Sequence, residues 1–81
     1  MNKTLAEYTK RRGSAKRIAI QTGLTITTIY QVRSGNKPPG IDTALLIEIA
    51  TNGEVKAETM VRPEKLPLIA WLRENYLIPT I

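Results

Sequence analysis

Residues 26–33, Ile26-Thr27-Thr28-Ile29-Tyr30-Gln31-Val32-Arg33, alternate apolar and hydrogen-bonding side chains at helical spacing. As a helix this segment turns Ile29 and Val32 toward a core and leaves Ile26, Thr27, Thr28, Tyr30 and Gln31 outside. A glutamine amide donates and accepts at once, which matches the edge of an adenine. A threonine hydroxyl can do either, and threonine or isoleucine methyl groups can meet a thymine methyl. Thr27, Thr28, Gln31 and Ile26 are therefore the candidate base readers. The same face has no Lys–Glu pair and little intrinsic helix propensity, which suits a surface kept for contact. Other chemistries find no residues. The chain has no Cys and no His, so thiolate or imidazole metal sites, disulfides and Cys- or His-based catalysis are excluded together. No nucleophile–base pair or paired-carboxylate cleft can be assembled either, so the expectation is a non-enzyme without metal or cofactor.

Charge points the same way. The 81 residues carry a net +5. Residues 1–40 hold eight basic side chains against Glu7 alone, whereas the remainder holds four basic and six acidic ones. A polyanion-facing half joined to a near-neutral packing half has this distribution. Phosphate contacts are expected from Ser14, Lys16 and Arg17 at one helix start and from Asn36 and Lys37 in a later loop, with Arg33 joining either. Lys10, Arg11 and Arg12 either reach the backbone too or merely offset the negative end of a first helix.

The elements that must hold these residues can be read from caps and breakers. A first helix is expected over 2–12, stopped by Gly13. Ser14 is placed to cap a second helix over 15–21, and Thr22-Gly23-Leu24 interrupts it. Thr25 then caps the third helix, over 26–33. Residues 34–40, with Pro38 and Pro39, form a loop. Asp42 charges the start of a fourth helix over 43–51, too apolar for anything but burial, and Asn52-Gly53 closes it. A short turn is expected around 57–60. A last helix over 67–75 places Leu68, Ile69, Leu72 and Tyr76 on one side, while the apolar tail 77–81 also suits an extended strand against a neighbour, a reading that Trp71 and Tyr76 permit as well. The fold class is thus all-α, a compact bundle of about five helices. It makes a single domain over 1–81, with 64–81 completing the core or pairing two copies.

Two short helices joined by three residues with a central glycine make the pattern of a helix-turn-helix. Ala19 allows close approach, Gly23 makes the turn, and Ile18, Leu24, Ile29 and Val32 pack the pair. Residues 15–35 resemble the helix-turn-helix of the phage Cro and repressor family, including the small Cro-like and YdaS-like prophage regulators. The likeness extends through Ser34-Gly35-Asn36, the segment 44–53 and Arg62-Pro63, about two-thirds of the chain. It implies that Thr27 and Gln31 occupy positions that often touch bases, with Ile26 replacing a residue that is often polar.

One helix in one groove reads only about four or five base pairs, so a homodimer on a near-palindromic operator is expected, formed in solution or only on double-stranded DNA. Trp71, Leu72, Tyr76 and Leu77 are the candidates for pairing; Trp71 and Leu72 equally suit the monomer's core. The expected function is a sequence-specific DNA-binding transcriptional regulator of the Cro-like repressor type. An antitoxin that also binds a protein toxin, or a pure protein-interaction module, are the alternatives. No apolar run approaches the ~18 residues of a membrane span and no signal-peptide pattern stands at the N-terminus, so a cytoplasmic, nucleoid-associated protein is expected.

Overall fold

A computed structural model describes residues 3–75 of the chain. Five α-helices follow one another: α1 (Leu5–Tyr8), α2 (Ser14–Thr22), α3 (Ile26–Ser34), α4 (Ile41–Ala50) and α5 (Leu66–Asn75). Short 3₁₀ turns at Ala57–Thr59 and Pro63–Lys65 lead into α5, and no strand occurs among the described residues. The all-α reading holds, and α5 settles 67–75 as helix. The tail with Tyr76 and Leu77 lies outside the described residues.

The first helix is much shorter than its sequence suggests. Thr4 begins it with a reciprocal cap: its hydroxyl accepts from the Glu7 N–H at 3.1 Å, and its own N–H donates to the Glu7 carboxylate at 2.9 Å. The Thr4 N–H first, and then the Thr4 hydroxyl, which also donates to the Glu7 carboxylate at 3.1 Å, hold the Glu7 carboxyl below its ordinary pKa. The Thr9 hydroxyl donates back to the Leu5 carbonyl at 2.8 Å, and the chain leaves the helix there. Gly13, expected to stop α1, instead opens α2, with φ +83° and no side-chain cap. Ser14 is accordingly the first residue inside α2 rather than its cap. Gly40 likewise starts α4 two residues earlier than expected, leaving Asp42 in the first turn.

The core has two parts. Leu5, Ala15, Ile18, Ala19, Ile29, Ile47 and Val55 pack as one cluster, joined at its edge by half-buried Leu24 and Val32. Ala44, Ala57, Val61 and Ile69 form the second, under α5. The first locks α2, α3 and α4 together around Ile18 and Ile29, which have essentially no exposed surface. One expectation fails within α4: among the described residues nothing covers Leu46, 40% exposed, or Ile49, 63% exposed.

Met60 packs against both clusters, and an ionic network ties α5 to α4. Glu48, 3% exposed, points from α4 toward the second cluster, and its Oε1 accepts from the Ala57 N–H at 2.8 Å. Arg73 of α5 forks onto it, with Nη1 to Glu48 Oε2 at 2.8 Å and Nη2 to Glu48 Oε1. The same guanidinium holds Glu58 through Nε at 2.9 Å and Nη2 at 2.6 Å. Burial alone would push the Glu48 carboxyl up, but Arg73 and the Ala57 N–H outweigh it and leave the pKa lowered. Glu58 is lowered chiefly by Arg73, against a smaller opposing effect of burial. The two carboxylates in turn raise Arg73, Glu58 contributing most.

Two outcomes follow for stability. Arg73→Leu leaves Glu48 buried and unpaired and should cost about 3 kcal/mol, the lower end for a broken buried pair because Arg73 is partly exposed; chemical denaturation measures it. Carboxyls with lowered folded pKa values stabilise fully above their unfolded value, about 4.3, and lose that contribution as pH falls through the folded value. The wild-type melting temperature should therefore drop below about pH 4.5. In Arg73→Leu burial dominates Glu48, the sign reverses at that residue, and mild acid should stabilise the variant relative to neutral pH.

Candidate nucleic-acid interface

The candidate site is built on α3, so the turn that aims α3 comes first. α2 and α3, nine residues each, are separated by residues 23–25. The Thr22 hydroxyl donates to the Ile18 carbonyl at 2.7 Å and accepts from the Leu24 N–H at 3.2 Å, closing the end of α2. Gly23 takes φ +77° and its N–H donates to the Ala19 carbonyl at 2.9 Å. Thr25 starts α3, its hydroxyl accepting from the Thr28 N–H at 3.1 Å.

Ile29, fully buried, fixes the inward side of α3, with half-buried Val32 beside it. Thr27 and Gln31, one turn apart, are exposed on the outward side with Tyr30, 43% exposed, and Ile26, 38% exposed. The side chains of Thr27 and Gln31 make no hydrogen bond with any described residue, so their donors and acceptors face solvent. Thr28 differs from its sequence assignment. It is half-buried, with its hydroxyl 2.9 Å from that of Thr25, and so belongs to the helix start.

Cationic groups stand at both ends of the α2–α3 unit. At the far end, the Arg33 guanidinium lies over the Tyr30 ring, 4.5 Å from its centroid, which holds the charge beside the outward face. Asn36 and Lys37 follow, exposed, in a loop whose turn is closed by the Ser34 hydroxyl donating to the Gln31 carbonyl at 3.0 Å and accepting from the Asn36 N–H at 3.4 Å.

At the near end, Lys3, Glu7, Tyr8, Lys10, Arg11, Ser14, Arg17 and Glu54 line one concavity. The acids in it are engaged, Glu7 by Thr4 and Glu54 by Lys3 at 3.2 Å. Lys10, Arg11 and Arg17 form no ion pair within 4 Å among the described residues. Ser14 is only 4% exposed, yet its hydroxyl borders this concavity and has no partner among the described residues. The Ser14 N–H donates to the Arg11 carbonyl at 3.2 Å and the Arg17 N–H to the Gly13 carbonyl at 3.0 Å, so in the first turn of α2 the N–H groups of Ala15 and Lys16, which have no partner among the described residues, remain open to an anion. Lys16 is exposed on the neighbouring side of α2. Sequence reasoning left Lys10 and Arg11 undecided; the early end of α1 gathers both beside Ser14 and Arg17.

Of the pairing candidates, Trp71 is 49% exposed and Leu72 half-buried, while Leu68, expected on the inner side of α5, is 45% exposed. Ile69 is the one fully buried residue of that helix. Among the described residues no group of acidic side chains is arranged to hold a metal ion, and no helix is long and apolar enough to cross a membrane. No protein-family model, curated protein or solved structure matches this chain.

The cap can be tested apart from any ligand. Thr25→Ala should destabilise the protein by about 1 kcal/mol and Thr25→Ser by much less, since only the hydroxyl bonds the Thr28 N–H; urea denaturation of the two variants measures the difference.

Proposed function

We propose that this chain is a sequence-specific DNA-binding transcriptional regulator, a Cro-like phage or prophage repressor that acts in the cytoplasm as a homodimer on a near-palindromic operator. The observation that carries the reading is the outward side of α3. Thr27 and Gln31 present unused hydrogen-bonding groups beside Ile26 and Tyr30, on a helix whose other side is fixed by fully buried Ile29.

An α-helix fits the major groove, where base edges differ in donors, acceptors and methyl groups. Gln31 would bond an adenine edge, and Thr27 and Ile26 would meet neighbouring bases or a thymine methyl. Thr28 would act indirectly, by fixing where the helix begins. Ser14, Arg17, Lys10 and Arg11 would hold one phosphate run with the open amides of α2, Lys16 alongside, and Arg33, Asn36 and Lys37 would hold another. Pairing doubles the surface read, and the two-fold symmetry of the protein is then mirrored in the operator. A second reading, in which the DNA binder also docks a protein such as a toxin, is favoured by the exposed Leu68 and Trp71 on α5.

Gel shifts on the chain's own promoter region and on scrambled DNA test the proposal. Gln31→Ala should cost about 1–3 kcal/mol on the specific site and little on scrambled DNA. Lys37→Ala should weaken both alike and reduce the salt slope by about one unit. Equal losses on both DNAs for both variants would overturn base readout by α3.

A further inference from the structure

One side chain in the concavity at the start of α2 lacks the partner that burial demands. Ser14 is 4% exposed, and its hydroxyl bonds no described residue. Among the described residues no fully buried side-chain polar atom is without a partner, so this hydroxyl opens on the concavity that Ser14 helps to line. Withdrawing a hydroxyl from water without bonding it is costly, and a ligand that bonds it recovers that cost. Beside it, in the first turn of a nine-residue helix, the N–H groups of Ala15 and Lys16 are unpartnered as well. Three free donors thus stand together at a helix start, where the backbone favours negative charge.

Charge and depth say which anion. Four basic and two acidic side chains line the concavity, a net +2. Lys3 is taken by Glu54 at 3.2 Å and Glu7 by Thr4, which leaves Lys10, Arg11 and Arg17 without an ion pair among the described residues. A phosphate monoester carries nearly two negative charges at neutral pH and three acceptor oxygens, so it balances this charge. A diester of the DNA backbone brings one charge and two free oxygens, with a sugar on either side. Only a terminal phosphate can enter end-on and reach a hydroxyl as deeply set as that of Ser14. The cavity, about 420 Å³, has the size of a small-ligand site.

We propose that this recess binds the terminal phosphate of a small phosphorylated molecule. The Ser14 hydroxyl and the N–H groups of Ala15 and Lys16 bond its oxygens, and Lys10, Arg11 and Arg17 balance its charge. The inference rests on the anion-holding role already given to these residues and adds a ligand other than DNA. The ligand occupies groups assigned above to one phosphate run, so it competes with DNA. A regulator built in this way releases its operator as the phosphorylated molecule accumulates.

The probes are phenyl phosphate, a monoester, and dimethyl phosphate, a diester, titrated into the DNA-free full chain at constant ionic strength and followed by amide NMR shifts. Phenyl phosphate should move the Ala15 and Lys16 amides saturably, and dimethyl phosphate should bind roughly tenfold more weakly. Ser14→Ala should weaken phenyl phosphate about tenfold, as loss of a hydrogen bond to a charged group does. It should not lower the urea midpoint, because the hydroxyl bonds nothing within the described protein. Arg17→Gln, at an exposed position, should weaken binding as well. Shifts spread evenly over the basic residues, equal binding of the two esters, or binding unchanged in both variants would overturn the proposal. Gel shifts separate it from the DNA reading. An operator complex that phenyl phosphate leaves intact would overturn the competition, and phosphate binding by a chain blind to DNA sequence would overturn the DNA reading alone.

Discussion

The contact of Ile18 and Ile29 over Ile47 is the constraint on which the rest of the structure depends. These three side chains, none with more than 1% of its surface exposed, come from α2, α3 and α4. They fix the angle between α2 and α3 in a chain that can bury only a small core. A helix presented for recognition must be rigid on one side if its other side is to hold unsatisfied polar groups in a set direction. Here the rigidity comes from Ile29, and Thr27 and Gln31 lie opposite it. The hydroxyl cap of Thr25 and the left-handed turn at Gly23 deliver the chain to that contact without using any outward residue.

The second cluster depends on a different interaction. α5 contributes Ile69 as its one fully buried side chain, too little apolar surface to seat a helix securely. Arg73 supplies the remaining hold by bridging Glu48 of α4 and Glu58 of the turn before it. A guanidinium suits this place because its planar fork meets two carboxylates at once. The arrangement also keeps Glu48 off the surface, 3% exposed. That leaves the side of α4 opposite Glu48 apolar and nearly uncharged.

How much of this was legible in the sequence depended on range. The α2–turn–α3 unit is written in local chemistry: Thr25 three residues before Thr28, Gly23 between two caps, and Ile18, Ala19 and Ile29 at helical spacing. All of these stand where periodicity places them. The end of α1 was misread because a Thr9 hydroxyl bonding back to Leu5 competes with a more conspicuous glycine four residues later. The Arg73 network was invisible, since its partners lie 25 and 15 residues away and no pattern links a buried Glu on one helix to an Arg two elements on. Lys10 and Arg11 could join the candidate phosphate site only once the shortened α1 had brought them beside Ser14. Gln31 and Thr27 were legible as outward residues, whereas the capping role of Thr28 depends on a hydroxyl pair that propensity does not encode.

The central claim, that α3 reads a DNA sequence, is tested most directly by selecting bound fragments from a random-sequence duplex pool at physiological salt and sequencing them. The account predicts enrichment of a near-palindrome whose half-sites lie about one helical turn apart, roughly 34 Å centre to centre, with the preference inside each half-site lost in Gln31→Ala. A bound pool no different in sequence from the input, or a motif that survives that substitution unchanged, would contradict it.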